Sequence, residues 1–131
     1  MDKIEFVPIG FVENEFRGIQ DNPDIFQDTT SKVRVLDEYA EGLYRLDKYE
    51  RLNIIYVFDR AHGYRLVIHP RGDTTRPERG VFATRAPYRP NPIGLAVVDL
   101  ISIEGNVVTV RNLDAIDGTP VLDIKPWEEC Y

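Results

Sequence analysis

Three short polar clusters in this sequence combine side chains that bind charged or hydroxylated ligands. They are Asp59-Arg60, Arg85 with Arg89, and Asp114 with Asp117-Gly118. Guanidinium groups pair with carboxylates and phosphates, often through two parallel hydrogen bonds, and carboxylates accept hydrogen bonds from hydroxyl groups. Together these groups suit a ligand of the nucleoside type, with its anionic group on arginine and its ribose on aspartate. Each cluster alone has a plainer explanation, because strand ends are often charged and Asp-Gly is an ordinary turn.

The sequence contains few groups for other kinds of catalysis. His62 and His69 are its only histidines, and neither has neighbouring ligands at the spacing that a metal site needs. The single cysteine, Cys130, excludes a disulfide framework. No serine lies in a G-x-S-x-G elbow, which disfavours hydrolase chemistry. No G-x-G-x-x-G follows a predicted strand and there is no P-loop, so a doubly wound nucleotide-binding domain is disfavoured.

The second cluster lies in the most unusual stretch of the chain, residues 80–100, GVFATRAPYRPNPIGLAVVDL. Three prolines fall within six residues, and each removes a backbone donor and favours an extended conformation in the residue before it. No helix can therefore run through this stretch, and the hydrophobic runs on either side of it indicate strands. We expect a rigid, cationic loop that also presents Tyr88 and Asn91.

The elements that must position these residues are nearly all β. Short apolar or alternating runs predict strands at residues 4–12, 32–37, 52–59, 64–69, 80–83, 94–103, 106–113 and 121–124. One helical pattern, at residues 39–51, predicts a short helix. Residues 13–31 and 70–79 are expected to be long loops, and Glu104-Gly105 a tight hairpin turn.

Strand follows strand without intervening helices, which predicts an antiparallel sheet. Closure into a barrel is the usual way to remove exposed sheet edges. We therefore predict an all-β, mainly antiparallel fold: a single β-barrel domain over residues 1–131, with one short helix and long loops. A chain of 131 residues is long enough to bury a core of its own.

Charge is distributed unevenly along the chain. The net charge of −6 argues against a broad nucleic-acid-binding surface. Residues 60–89, however, contain seven arginines and only two acidic residues, Asp73 and Glu78. A local basic face on an acidic protein and the solvation of scattered arginines explain this pattern equally well.

Membrane and export signals are not found in the sequence. No apolar run approaches the ~20 residues of a membrane-spanning helix. The opening, MDKIEFVPIG, lacks the charged and then apolar layout of a signal peptide. With the lone cysteine, these features lead us to expect a cytoplasmic protein without membrane contact.

Two stretches of the sequence resemble the signature of the TrmO/YaeB-like (TsaA-like) family. They are residues 81–100, VFATRAPYRPNPIGLAVVDL, and residues 113–126, LDAIDGTPVLDIKP. The opening IGFVEN and the segment EGLYRLDKYERLNIIYVF also fit, so the resemblance covers most of the chain. It implies a β-barrel methyltransferase unrelated to the Rossmann class, which uses S-adenosylmethionine and acts as a homodimer on tRNA. The implied reaction is N6-methylation of threonylcarbamoyladenosine beside the anticodon.

The resemblance also assigns cofactor contacts by position. It places them on Asp59, Arg60, Arg85, Leu95, Ala115, Ile116, Asp117 and Gly118. The family often has a histidine-led pair where this chain has Asp59-Arg60. Its first loop carries a P-R-Q motif that is missing here, with Gln20 and Gln27 as the candidates to replace it. Bacterial-type members have a C-terminal extension, whereas this sequence stops just after DIKPW.

These assignments leave part of the proline-rich loop for the acceptor. We expect Arg89, Tyr88 and Asn91 to meet the substrate. The threonyl carboxylate of the modified base is an anion that Arg89 could bind through two hydrogen bonds. Tyr88 could stack on its adenine.

The sequence identifies no general base. Asp117 is the nearest candidate in type, and ribose binding explains it equally well. Two other functions remain open. A non-catalytic barrel could bind S-adenosylmethionine or a related nucleoside without turnover, which the acidic net charge, the altered first loop and the missing extension favour. A methyltransferase could also act on a different small-molecule or RNA substrate.

Overall fold

The computed structural model of the chain describes residues 2–18 and 23–129. Its eight strands are β1 (Gly10–Glu13), β2 (Thr30–Val35), β3 (Arg51–Val57), β4 (Val67–Ile68), β5 (Arg79–Gly80), β6 (Ile93–Glu104), β7 (Val107–Arg111) and β8 (Pro120–Pro126). Six of them form a closed antiparallel barrel in the order β1-β2-β7-β6-β3-β8, which β8 closes onto β1. The predicted all-β, antiparallel barrel is confirmed.

Several barrel strands bury every second side chain. In β2, in β3 and in the first half of β6, inward residues are buried while their neighbours remain at least partly exposed. The inward side chains of these three strands are Val33, Val35, Leu52, Ile54, Tyr56, Ala96 and Val98. A barrel of only six strands has no room inside for more than such side chains. A ligand must therefore bind at an end of the barrel or outside it.

The first predicted strand is shorter than expected. The prediction gave residues 4–12, whereas β1 begins at Gly10 and the side chains of Ile4, Phe6 and Val7 are exposed. Pro8 has no backbone N–H to donate, and pairing starts only with Ile9, which donates to the Val121 carbonyl at 2.8 Å.

The predicted helix at residues 39–51 is replaced by two 3₁₀ helices, Asp37–Leu43 and Leu46–Lys48. Arg45 between them has a φ of 66°, a left-handed conformation that interrupts a right-handed helix. The spacing of apolar residues in this segment nevertheless predicted which side chains face the barrel core. Leu43, Leu46 and Tyr49 are partly buried and pack against the core.

Residues 61–83, which we call the arm, also differ from the prediction. The strand predicted at residues 64–69 shrinks to β4, and the strand predicted at 80–83 becomes β5 followed by the 3₁₀ helix Val81–Ala83. The predicted loop at 70–79 contains the 3₁₀ helix Pro70–Gly72. Since β4 and β5 pair only with each other, no barrel strand extends them.

The topology brings several loops to one end of the barrel, which we call the site end. Val57, the last residue of β3, pairs with Ile93, the first residue of β6. Gly118, just before β8, donates to the carbonyl of Val12 near the end of β1 at 2.7 Å. The site end therefore collects residues 13–17, 58–60, 84–95 and 112–119. No helix within the described ranges is long and apolar enough to cross a membrane.

Candidate functional site

Arg85 lies across the beginning of β6. Its Nη1 donates a hydrogen bond to the backbone carbonyl of Leu95 at 3.0 Å, so two of the predicted site residues touch. The guanidinium has five N–H donors, and this contact uses one of them. Arg85 is exposed, and so is the outward-facing side chain of Leu95. A cationic group thus lies beside an apolar surface that solvent can reach.

Tyr56 joins β3 to the segment that follows β7. Its buried hydroxyl donates to Oδ1 of Asp114 at 2.7 Å, directly before the 115–118 turn. Burial raises the pKa of Tyr56 far above its ordinary value, and the negative charge of Asp114 raises it further. The nearby charge of Arg85 opposes these effects. Tyr56 therefore stays protonated and remains a donor.

Sequence reasoning missed Tyr56 as part of the site. The signal that could have found it is a hydroxyl within the otherwise apolar run IIYVF, since a buried tyrosine needs a hydrogen-bond partner.

A Tyr56→Phe variant tests this anchor. At pH 8 we expect its free energy of unfolding to be about 1–2 kcal/mol below that of the wild type, because Asp114 loses its donor. Since the folded pKa of Tyr56 lies above the unfolded value of 10.0, its contribution is complete below pH 10 and declines above it. The difference between the two proteins should therefore shrink by about 1.4 kcal/mol at pH 11. Urea denaturation at both pH values measures it, and an identical difference at both would contradict the anchor.

The turn at residues 115–118 is fastened to the end of β1. The backbone N–H of Asn14 donates to Oδ1 of Asp117 at 3.0 Å, and Nδ2 of Asn14 donates to the carbonyl of Ala115 at 2.8 Å. Gly118 has a φ of 82°, which favours glycine. The side chains of Ala115 and Ile116 are only 4% and 9% exposed, so these two residues can reach a ligand only through their backbone.

Arg60 is connected to this turn through Arg17. Oδ2 of Asp117 forms an ion pair with Arg17, and Nη1 of Arg60 donates to the Arg17 carbonyl. Sequence reasoning did not select Arg17, because nothing in the first loop indicates that it meets a residue 100 positions away. Asp59 is exposed, and its carboxylate has no partner among residues 2–18 and 23–129. The structure therefore links Arg60 to the 115–118 turn, whereas the assignment of Asp59 to the site stays a prediction.

At the site end, the described residues form a cleft of about 460 Å³ that is lined by Glu13, Asn14, Thr30, Ser31, Lys32, Thr109 and Asp117. A hydrogen bond from Arg34 holds the pKa of Glu13 below its usual value, so its carboxylate is ionised. A smaller cleft, of about 200 Å³, is lined by Phe26, Gln27, Ala96, Val97, Asn112 and Asp114. Of the two glutamines considered for the first loop, Gln27 lies at this cleft. Gln20 is outside the described residues, as is Cys130.

Within the proline-rich loop, Arg89 bonds back to the loop's own backbone, whereas Tyr88 and Asn91 face solvent. Nη1 of Arg89 donates to the carbonyls of Thr84 at 2.9 Å and Ala86 at 3.1 Å, which braces the loop. Tyr88 and Asn91 are exposed, and their side chains contact no described residue through a hydrogen bond. Arg89 therefore has a structural role in addition to any contact with a substrate, whereas Tyr88 and Asn91 are available to one.

Neither histidine forms a hydrogen bond or ion pair with the site residues within the described part of the chain. Nδ1 of His69 lies 2.8 Å from the carbonyl of Arg76 in the arm, and Nε2 lies 3.7 Å from Glu78. His62 is exposed. Across the described ranges, no three histidine, cysteine, aspartate or glutamate residues are grouped so that they could hold a metal ion.

The site end thus combines four kinds of group. It offers the guanidinium of Arg85, the carboxylate of Asp117, the backbone of a fixed turn, and the apolar surface of Leu95. This set is suited to a nucleoside-type ligand that also carries a carboxylate. The individual contacts assigned from the family resemblance stay predictions.

Comparison with known proteins agrees with this chemistry. The sequence matches the tRNA-methyltransferase O N-terminal domain over residues 12–131. An S-adenosyl-L-methionine-binding protein of Archaeoglobus fulgidus is 44% identical over 122 residues, which cover 92% of this chain and 86% of the relative. The tRNA (adenine(37)-N6)-methyltransferase of Escherichia coli is 29% identical over 138 residues, which cover 97% of this chain and 59% of that enzyme.

The architecture is also similar to that of a solved protein. The crystal structure of TrmO from Pseudomonas aeruginosa superposes with a TM-score of 0.76 and 29% identity, over 97% of this chain and 57% of the solved chain. This chain therefore spans less than two thirds of the length of the E. coli enzyme and of the P. aeruginosa protein.

Proposed function

The chain belongs to the family of tRNA-methyltransferase O N-terminal domains, and we propose on this basis that it is an S-adenosylmethionine-dependent tRNA methyltransferase. The proposed acceptor is N6 of threonylcarbamoyladenosine beside the anticodon. The observation that carries the proposal is that the Arg85–Leu95 contact and the 115–118 turn lie at the same end of the barrel. We further propose that residues 1–131 work as one domain, in the cytoplasm.

The groups at the site end fit the chemistry of S-adenosylmethionine. Its carboxylate requires a cation, and Arg85 has donors beyond the one it gives to Leu95. Its ribose hydroxyls require acceptors, which Asp117 and the carbonyls of the turn provide. Its adenine requires an apolar surface, which the exposed side chain of Leu95 offers.

Asp117 is oriented for this role before any ligand arrives. The hydrogen bond from Asn14 fixes Oδ1, while Oδ2 is paired with Arg17. A ribose hydroxyl that binds Oδ2 must share it with Arg17 or displace it. Because the Arg17 side chain is 76% exposed, moving it costs little burial.

The main task of the protein in this reaction is alignment. S-adenosylmethionine supplies a methyl group on a sulfonium sulfur, which an acceptor nitrogen displaces in line. Holding two reactants in the correct geometry contributes several kcal/mol to such a step. Tyr88 and Asn91 project from the same loop that carries Arg85, so they meet the acceptor beside the cofactor. No residue is assigned as general base. Asp117 is the nearest candidate in type, and its proposed role is to bind a ribose hydroxyl.

An Arg89→Ala variant tests the acceptor side of the site. We expect about a tenfold lower kcat/KM for tRNA that carries the modified base, because a charged hydrogen bond to the threonyl carboxylate is lost. Affinity for S-adenosylmethionine, measured by calorimetry, should stay unchanged, which separates this role from the bracing of the loop. Equal methylation rates for the variant and the wild type would exclude the substrate role.

We also propose that the protein is a homodimer. The outward residues Ile93 and Val97 of β6 are exposed, and Val57 of β3 pairs with Ile93 beside them. An exposed apolar face of this kind is typical of a contact with another protein surface. Analytical ultracentrifugation should give the mass of two chains.

Incubation with tritiated S-adenosylmethionine and total tRNA tests the function. We expect label in tRNA that contains threonylcarbamoyladenosine and none in tRNA from cells that lack this base. The 44% identical relative is named for binding alone, which favours a non-catalytic module as the second candidate. Tight binding without transfer would support that module, and transfer to another acceptor would support a different methyltransferase.

A further inference from the structure

The arm departs from the barrel at the site end and contributes nothing to the barrel core. Its neck is closed by a hydrogen bond of 2.7 Å from the N–H of Phe58 to the carbonyl of Pro92. No residue between 59 and 92 belongs to the described core cluster. The arm therefore projects from the place where the acceptor residues Tyr88 and Asn91 lie.

The surface of the arm combines aromatic and cationic side chains. Tyr64 and Phe82 are 57% and 78% exposed. The N–H of Val81 donates to the carbonyl of Leu66 at 2.8 Å, which continues the β4–β5 pairing by one residue on each side. Arg65 and Arg79 are exposed and have no ion pair among the described residues. Two aromatic side chains and two cations with no ion pair among the described residues are thus exposed on one small structure.

The arm and the adjoining loop also carry a local excess of positive charge. Residues 60–89 contain seven of the sixteen basic residues of the chain and two of its twenty-two acidic residues. Both acidic groups are engaged within the arm. Asp73 accepts hydrogen bonds from Thr75 and pairs with Arg76, while Glu78 lies 3.7 Å from His69. A polyanion is therefore attracted here and repelled by the acidic remainder.

We propose that the arm is a docking surface for a single-stranded segment of RNA that flanks the methylated nucleotide. Exposed aromatic rings stack on bases, and cations between them follow the phosphates, which is how single-stranded nucleic acids are bound without strict sequence preference. This inference rests on the proposed function, because it needs an RNA substrate.

The test compares three forms of the full chain. They are the wild type, Arg65→Ser with Arg79→Ser, and a charge-matched control, Lys48→Ser with Arg111→Ser, outside the arm. Fluorescence anisotropy with a labelled anticodon stem-loop measures affinity at several salt concentrations. We expect the arm variant to bind about tenfold more weakly and the slope of log K against log salt to fall by about 1.4, the effect of two lost phosphate contacts. The control variant should show a smaller change than the arm variant in both the affinity and the salt slope.

A Phe82→Ala variant separates stacking from charge. It should lower the affinity about tenfold while the salt slope stays as in the wild type, because stacking involves no counterion release. Calorimetry with S-adenosylmethionine should give wild-type affinity for all arm variants, since none belongs to the cofactor site.

The outcomes distinguish the arm from the function as a whole. If the wild type does not bind the stem-loop, the proposal of an RNA substrate is wrong, and the proposal that the arm docks RNA is wrong as well. If the wild type binds and the arm variants bind equally well, the docking surface is wrong while the proposed function stands. If the arm variants bind RNA normally but sediment as monomers, the arm contacts a second copy instead.

Discussion

An Arg85→Ala variant should bind S-adenosylmethionine about 10- to 100-fold more weakly than the wild type, since a hydrogen bond to a charged group contributes about 1.5–3 kcal/mol. Arg85 is the cation that touches Leu95 at the site end, through its 3.0 Å contact with that carbonyl. Its side chain is exposed, so the substitution leaves the barrel core intact. Isothermal titration calorimetry measures the change directly.

A second ligand, methylthioadenosine, tests whether Arg85 binds the carboxylate of S-adenosylmethionine. Methylthioadenosine keeps the nucleoside but lacks the carboxylate, so it should bind the wild type and Arg85→Ala with similar affinity. An Arg85→Lys variant should be intermediate for S-adenosylmethionine, because lysine keeps the charge without the planar fork. Arg111→Ala, on the outer face of β7, is the control. Unchanged affinity in Arg85→Ala would remove this residue from the cofactor site.

A Gly94→Ala variant should lose about 2–4 kcal/mol of stability through overpacking and a broken hydrogen bond, and should also bind the cofactor more weakly. A Cβ at this position would lie 2.5 Å from Cε2 and Cζ of the Tyr56 ring. That ring packs edge-on against Phe58 at 5.3 Å and holds Asp114 through its hydroxyl. The ring can make room only by releasing Asp114, which leads into the 115–118 turn.

A double-mutant cycle tests whether Tyr56 is the cause. Urea denaturation should show that Gly94→Ala costs much less in a Tyr56→Leu background, where the clashing ring atoms are absent. Gly42→Ala is the matched control, because a Cβ there meets nothing within 4 Å. An equal cost of Gly94→Ala in both backgrounds would show that the clash with Tyr56 does not explain it.

The hydrophobic pattern of the sequence was sufficient to predict the barrel, but it did not predict where every strand begins and ends. Alternation in KVRV and the apolar run LNIIYV identified β2 and β3, since both bury one face against neighbouring strands. The same kind of run at Ile4, Phe6 and Val7 stays exposed. A hydrophobic sequence becomes a barrel strand only where a neighbouring strand covers it, and that depends on the whole topology.

The candidate site was predictable in its parts but not in its connections. The three polar clusters were selected because they end or precede strands, and an antiparallel barrel brings such ends together. The bonds that join them link residues far apart in the chain. Tyr56 and Asp114 are separated by 58 positions, and Arg17 and Asp117 by 100. No local pattern encodes such contacts, which is why Tyr56 and Arg17 emerged only from the structure.

A crystal structure with S-adenosylhomocysteine tests most directly whether the site end binds the cofactor. The account predicts density for the carboxylate against Arg85, for the ribose against Asp117, and for the adenine beside Leu95. Density for the nucleoside elsewhere on the barrel, in contact with neither Arg85 nor Asp117, would contradict it.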